Sequence, residues 1–206
     1  MTRLMIPGAN DSSVRRGFTL IELLVVVSIL LILASLSLPA LNRATARTKQ
    51  VKCLSNLRQL HSAFLSFQME NEGKLPYETT SGLPLDQQWH RRIFPYLGGA
   101  STSSWPGMMG AAYLCPSDKS PYNGVISYGF NNYLGDYRAV NIETNAILLA
   151  DSPNFRLSDA APGAVTLKYN HNGNACAIRL DGSGMQQKNY AAPQDDPDLW
   201  KPRRSL

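Results

Sequence analysis

The chain has 206 residues, a formal net charge of +5 and 44% hydrophobic residues, a length that fits one domain of about 130 residues beyond a long anchor. Part of the basic excess sits in residues 1–17 and at Lys201, Arg203 and Arg204. Basic charge distributed in this way is a weak argument for nucleic acid, and none is expected as a partner.

Residues 1–17 contain Pro7, Gly8 and Asn10 and show no apolar periodicity, so they read as a leader to be set aside from the fold, with Met5 an alternative start. From Phe18 to Leu38 the sole charged side chain is Glu22. As a helix rising about 1.5 Å per residue, this run spans roughly 31 Å, close to the hydrocarbon thickness of a bilayer. It is apolar on every face, with no stripe to dock on a soluble core, and reads as a membrane span. Arg15 and Arg16 precede it, which keeps the N-terminus cytoplasmic and sends the rest of the chain across. A secretory signal is the competing interpretation. Its apolar region is usually about 7–15 residues with a small-x-small end, whereas this run is longer and closes on Leu36-Ser37-Leu38-Pro39-Ala40.

Glu22 lies one turn inside the apolar run. A carboxylate there costs about 2.5–3.5 kcal/mol, so it calls for a partner or a task, unless it reaches back to the interface. Arg16-Gly17-Phe18-Thr19-Leu20-Ile21-Glu22 followed by an apolar helix resembles the prepilin signature of type IV pilins and type II secretion pseudopilins. The resemblance implies that a prepilin peptidase cuts between Gly17 and Phe18 and methylates the new amine of Phe18. It also implies that Glu22 meets the N-terminal amine of a neighbouring subunit during assembly, where each charge neutralises the other in lipid. Pro39 falls where that family carries a helix-loosening proline; it lacks an amide donor and should bend or loosen the helix across Ser35 to Pro39.

The expected organisation is a leader (1–17), a transmembrane and assembly helix (18–41), an extramembrane half of the same helix (42–72) and a globular domain (73–206). In the second helical half, Ala44, Val51, Leu54, Leu57, His61, Phe64 and Leu65 recur at spacings of three and four and mark an inner face. Arg43, Arg47, Lys49, Lys52 and Arg58 occupy the others, as a solvated face or one that meets anionic headgroups. His61 reads as a packed histidine. Gly73, in a left-handed C-terminal position, and then Pro76 should stop the helix.

Residues 74–120 read as a long connection with one short helix, Asp86 to Leu97. Trp89, Tyr96, Trp105 and Tyr113 lack interleaved Lys or Arg, which favours packing over base stacking. Strands are expected at Val125 to Phe130, Ala146 to Ala150, Ala164 to Tyr169, Ala175 to Leu180 and Met185 to Tyr190, within a sheet covering about 124–190. Asn172-Gly173 and Asp181-Gly182 are turn signals that join the last three as antiparallel hairpins. The fold class is α+β: a long N-terminal helix packed on a C-terminal antiparallel sheet, which is also the pilin-like architecture.

Cys53-Leu54-Ser55-Asn56-Leu57-Arg58-Gln59-Leu60, then Cys115-Pro116-Ser117-Asp118, then His171 followed ten residues later by Asp181-Gly182, resemble a bacterial family of pseudopilin-like proteins known by its His-x9-Asp-Gly feature. That resemblance supports the fold more than a role. His171, Asp181 and Ser183 do not suggest a nucleophilic triad, because ten residues along a strand extend roughly 33 Å. Asp181 should instead form an Asx turn and His171 bond a backbone group. No HExxH, CxxC pair, GxSxG, GxGxxG or Walker loop is present, and no enzyme is expected.

These features favour a subunit of a type II secretion-like pseudopilus or type IV pilus-like filament at the bacterial inner membrane. It would span once, with its domain in the periplasm. The resemblance implies a prepilin peptidase, other pilin-like subunits and an inner-membrane assembly platform as partners, with lipid around the helix. A DNA-uptake minor pilin and a membrane-tethered enzyme are the alternatives. No cofactor is expected. Asp195, Asp196 and Asp198 loosely resemble the calcium loop of major pseudopilins, but a solvated tail is preferred because the run supplies too few ligands unaided. Of the three cysteines, Cys176 reads as a buried thiol in a strand. Cys53 and Cys115 are expected to pair, tying a loop-rich segment with little core of its own back onto the helix.

Overall fold

A computed structural model describes residues 18–76, 87–98, 110–135, 138–142, 144–157 and 167–188. The chain divides between Arg43 and Ala44 into two compact units, and helix α1 (Leu20–Glu70) contributes residues to both. The weak calcium candidates Asp195, Asp196 and Asp198, the leader with Gly17, and Trp105 lie outside the described residues.

In the first unit, α1 begins at Leu20 behind Thr19 and is apolar on all sides. Leu20, Leu30, Leu31 and Leu36 are all more than half exposed, and α1 is long and apolar enough to cross a membrane. Helix runs through Pro39 without a break. Ser35 and Ser37, just before the proline, return their hydroxyls to the carbonyls of Ile32 and Leu33, each at 2.8 Å. This satisfies those polar groups inside the helix itself.

In the second unit, α1 buries Cys53, Asn56, Leu57, Leu60, His61, Ala63, Phe64 and Phe67. The buried stripe is rotated from the expected one: Ala44, Val51 and Leu65 face outward. Apolar spacing alone misplaced it because the face is centred on Cys53 and on the polar Asn56. The Asn56 amide donates to the carbonyls of Ala111 (3.2 Å) and Leu114 (2.7 Å), holding the segment before Cys115 against the helix. The helix ends at Glu70. Gly73 (φ 75°) is left-handed as expected, Glu72 before it (φ 56°) is left-handed too, and the amide of Gly73 reaches back to the Gln68 carbonyl at 2.8 Å, a Schellman closure.

The expected helix Asp86 to Leu97 is, over its described residues, two short turns: α2 (Trp89–Arg92) and a 3-10 turn, Phe94–Leu97. Pro95, which brings no amide to continue an α-helix, sits in the second. Four strands follow, β1 (Tyr128–Phe130), β2 (Ile147–Asp151), β3 (Asn174–Arg179) and β4 (Gly184–Lys188), in the order β1-β2-β3-β4 with every pair antiparallel. The α+β arrangement is as expected from the sequence. One strand differs: the described part of Ala164 to Tyr169, Leu167–Tyr169, is not a strand, and β3 pairs with β2 in its place.

Two tight turns set the ends of β3. Asn172 (φ 51°) and Gly173 (φ 81°) both lie in the left-handed region between the bridged residues His171 and Asn174, a type I′ geometry that Asn-Gly favours. At the other end Gly182 (φ 83°) closes the β3–β4 connection.

One face of the sheet and the inner face of α1 share a core with Trp89, Ile93 and Tyr113. Phe64 stacks on Trp89 (5.7 Å between centroids) and on Phe130 (5.4 Å). Trp89 gives its indole N–H to the Phe155 carbonyl at 2.6 Å, and Tyr113 its hydroxyl to the His90 carbonyl at 2.7 Å. Both aromatics are therefore packed and satisfied, as buried Trp and Tyr must be. A smaller cluster of Ile147, Ala150, Leu157, Leu167, Ala175 and Ala177 forms separately.

Candidate functional site

The described residues carry chemistry at two places, one in each unit. At the first, Glu22 Oε2 accepts from the Thr19 amide at 2.9 Å and from the Thr19 hydroxyl at 2.7 Å. The Glu22 amide in turn faces Thr19 Oγ1 at 3.4 Å. This is a reciprocal capping box, with Thr19 as N-cap and Glu22 at the third helical position. The carboxylate that the sequence left looking for a partner thus has one three residues away. The signal was in plain view, since Thr-x-x-Glu ahead of an apolar run is the capping-box pattern. Phe18, just ahead of the box, is exposed, as are Ile21 and Val25 around it.

The second place is built around β3. At its start, His171 is buried, and its Nε2 lies 3.4 Å from Asp151 Oδ2 and 3.2 Å from Cys115 Sγ. The expected backbone partner is a contact of the His171 main chain with Asn174 instead; the ring turns to the carboxylate and the sulfur. Asp151, at the end of β2, is fully buried, and its Oδ2 also accepts from the Cys176 amide at 2.7 Å. Burial raises the pKa of the Asp151 carboxyl above the usual range, and its bonds to His171 and the Cys176 amide oppose that shift. The buried Cys176 thiol is likewise pushed up, by desolvation and by the neighbouring Asp151. Carboxylate, imidazole nitrogen and thiol sulfur lie within 4.8 Å of one another.

Cys53 of α1 and Cys115 are joined by a disulfide, with Cα atoms 5.0 Å apart. Because His171 touches Cys115, the start of β3 is held to α1 through that bridge. The other end of β3 reaches the same helix by a different route. His61 Nε2 donates to the Leu180 carbonyl at 2.9 Å. A Cβ on Gly182 would stand 3.1 Å from the His61 ring, so a side chain there would crowd it. Asp181 Oδ1 accepts from the Ser183 amide at 2.7 Å in an Asx turn, and this bond, with that of the Ser183 hydroxyl, holds the Asp181 carboxyl below the usual range. The spacing His171 to Asp181-Gly182 is thus the length of β3 plus its two turns, and each end meets α1.

Asp181 and Ser183 come together, and His171 sits at the opposite end of the strand beside Asp151. The acidic partner of His171 is one that sequence reasoning missed. The signal available was a charged residue closing the apolar run Ile147-Leu148-Leu149-Ala150-Asp151, where burial on a strand demands a partner.

Comparison with known proteins bears on the first of these places. Residues 12–38 match the family model described as the prokaryotic N-terminal methylation motif. The chain is 46% identical over 57 residues to a protein named type IV major pilin protein PilA from Myxococcus xanthus (strain DK1622). That match covers 28% of this chain and 26% of the relative, so the two share about a quarter of their lengths. No solved structure matches the chain. Over its N-terminal quarter the chain is therefore similar to a type IV major pilin and carries a prepilin-type methylation motif.

Proposed function

We propose that this chain is a prepilin-type filament subunit. A prepilin peptidase cuts it between Gly17 and Phe18 and methylates the amine of Phe18. The mature chain then assembles with other pilin-like subunits, on an inner-membrane platform, into a type II secretion-like pseudopilus or a type IV pilus-like filament. The observation that carries this reading is Glu22 within the apolar run, four residues after Phe18 and inside the matched segment 12–38. A helix that needed only to anchor would gain from an apolar residue there. Retaining a carboxylate suits a chain whose neighbour presents an amine at the same depth in lipid, since each group is costly alone and the pair is neutral.

The exposed apolar surface of α1 up to Leu41 fits the same role. Surrounded by lipid before assembly, it can be surrounded by equivalent helices afterwards, with little change in the polarity it meets. In this reading the N-terminus stays in the cytoplasm and the Ala44 unit lies outside the inner membrane, an orientation supported by Arg15 and Arg16 ahead of the apolar run.

Glu22→Leu tests it. In cells that carry the assembly machinery, the variant should still insert in the membrane and be processed, but fall to background in the sheared filament fraction. Incorporation at the wild-type level would remove the reason for the carboxylate and with it the reading.

A further inference from the structure

The cluster at the start of β3 has the composition of a metal site. Asp151, His171 and Cys176 are all buried, and their ligand atoms lie within 4.8 Å of one another. In a tetrahedral zinc site with bonds of about 2.0–2.3 Å, ligand atoms stand roughly 3.3–3.8 Å apart. The 3.4 Å between His171 Nε2 and Asp151 Oδ2 matches such an edge. Hydrogen bonding alone leaves the cluster incomplete, because Asp151 Oδ1 is buried with no hydrogen-bond partner. A buried carboxylate left partly unsatisfied is costly, and a cation bound to that carboxylate offsets the cost.

We propose that Asp151, His171 and Cys176 form a zinc site, with Zn²⁺ held by the Asp151 carboxylate, the His171 Nε2 and the Cys176 Sγ. As the zinc–sulfur bond forms, the Cys176 thiol gives its proton to solvent. The ion with one thiolate and one carboxylate is then neutral, as a buried site requires. One sulfur, one nitrogen and one carboxylate suit zinc, whereas calcium and magnesium need six or more oxygens. The ligands are also oriented: Asp151 Oδ2 is fixed by the Cys176 amide at 2.7 Å, the type of outer bond that holds a ligating carboxylate in place. A polar cleft of about 150 Å³, whose lining includes His171, Gln50, Ser117 and Asn174, supplies an entry route and water for the fourth position. With Cys53 and Cys115 already bonded to each other, Cys176 is the one cysteine left to ligate.

The test uses the detergent-extracted full chain, stripped with chelator and then given zinc or cobalt alone. We expect about one metal per chain after removal of the excess. Cobalt should bring the visible bands of a tetrahedral site and a near-ultraviolet sulfur-to-cobalt charge-transfer band. Cys176→Ser should lose that band, and Asp151→Asn should weaken zinc by about a hundredfold or more. Because either variant could fold poorly, X-ray absorption at the zinc edge of the unmutated protein provides the decisive reading. A single sulfur at about 2.3 Å with nitrogen and oxygen at about 2.0–2.1 Å is the expected shell. A shell without sulfur, a charge-transfer band that survives in Cys176→Ser, or no retained metal would each overturn the proposal and leave a hydrogen-bonded cluster.

Discussion

Up to Arg43, α1 leaves Leu20, Ile21, Leu30, Leu31 and Leu36 more than half exposed, and the one charge in its apolar run is satisfied three residues away by Thr19. From Ala44 onward the same helix buries Leu57, Leu60 and Phe64 completely and is held by partners far along the chain. The disulfide spans 62 residues, and the His61 bond to Leu180 spans 119. One unit is specified locally and leaves its apolar surface uncovered by the described chain. The other is specified by long-range contacts within the chain. A single helix therefore carries two kinds of stability, and changes in one unit should register differently from changes in the other.

The largest effect on the second unit should come from the disulfide. Replacing Cys53 and Cys115 together by Ala removes a constraint worth about 4 kcal/mol by loop-closure arithmetic for a loop of this length. Urea denaturation of the full chain in detergent should show most of that loss. A change below about 1 kcal/mol would mean that the loop before Cys115 holds itself in place through Asn56, and would move the weight of the comparison to side-chain hydrogen bonds.

Acid should act on the second unit as well. His90 is buried between Trp89 and Phe155, and desolvation, aided by Arg91, lowers its pKa to about 3. The unfolded chain binds that proton near pH 6.5 and the folded chain does not. Between those values the unfolded state holds more protons, so stability falls as pH drops. Between pH 7 and pH 4.5 the loss from this group should be about 2–3 kcal/mol, read as the difference between wild type and His90→Phe. The comparison with the variant matters because Asp151, whose pKa is raised, contributes in the opposite sense. Equal losses in both proteins would show that His90 takes up its proton while folded.

The smallest effect should fall in the first unit and stay there. Thr19→Ala removes the hydroxyl bond to the Glu22 carboxylate and the Oγ1 acceptor of the Glu22 amide, leaving only the backbone bond of residue 19, and should cost the helix start about 1 kcal/mol. Amide exchange across Leu20 to Leu24 should then quicken about fivefold, with the urea midpoint of the second unit unchanged. A shifted midpoint would show that the two units share their stability after all.

Legibility in the sequence followed the same division. Phe18 to Leu38 and Glu22 could be read residue by residue because apolar length and a short motif are local facts. Asn172-Gly173 and Asp181-Gly182 were equally legible, since the dipeptides specify their own backbone geometry. The buried face of α1 was partly legible: Leu57, His61 and Phe64 lie inside as read, but Asn56 is a polar residue inside and Val51 and Leu65 apolar ones outside, so hydrophobic spacing misjudged the stripe's edges. The pairing of β3 with β2 could not be read from the turns, because the Asn-Gly turn closes only the His171–Asn174 bridge. Asp151 was invisible as a partner of His171, since nothing in the nineteen residues between them signals that they meet.

The central claim is that the chain is processed as a prepilin, and the N-terminus of the mature protein tests it most directly. Intact and peptide mass spectrometry should be run on protein extracted from membranes that contain a prepilin peptidase. The account predicts a first residue of Phe18 bearing one N-methyl group. A mature chain that keeps Met1, or one that begins after Ala40, would contradict it.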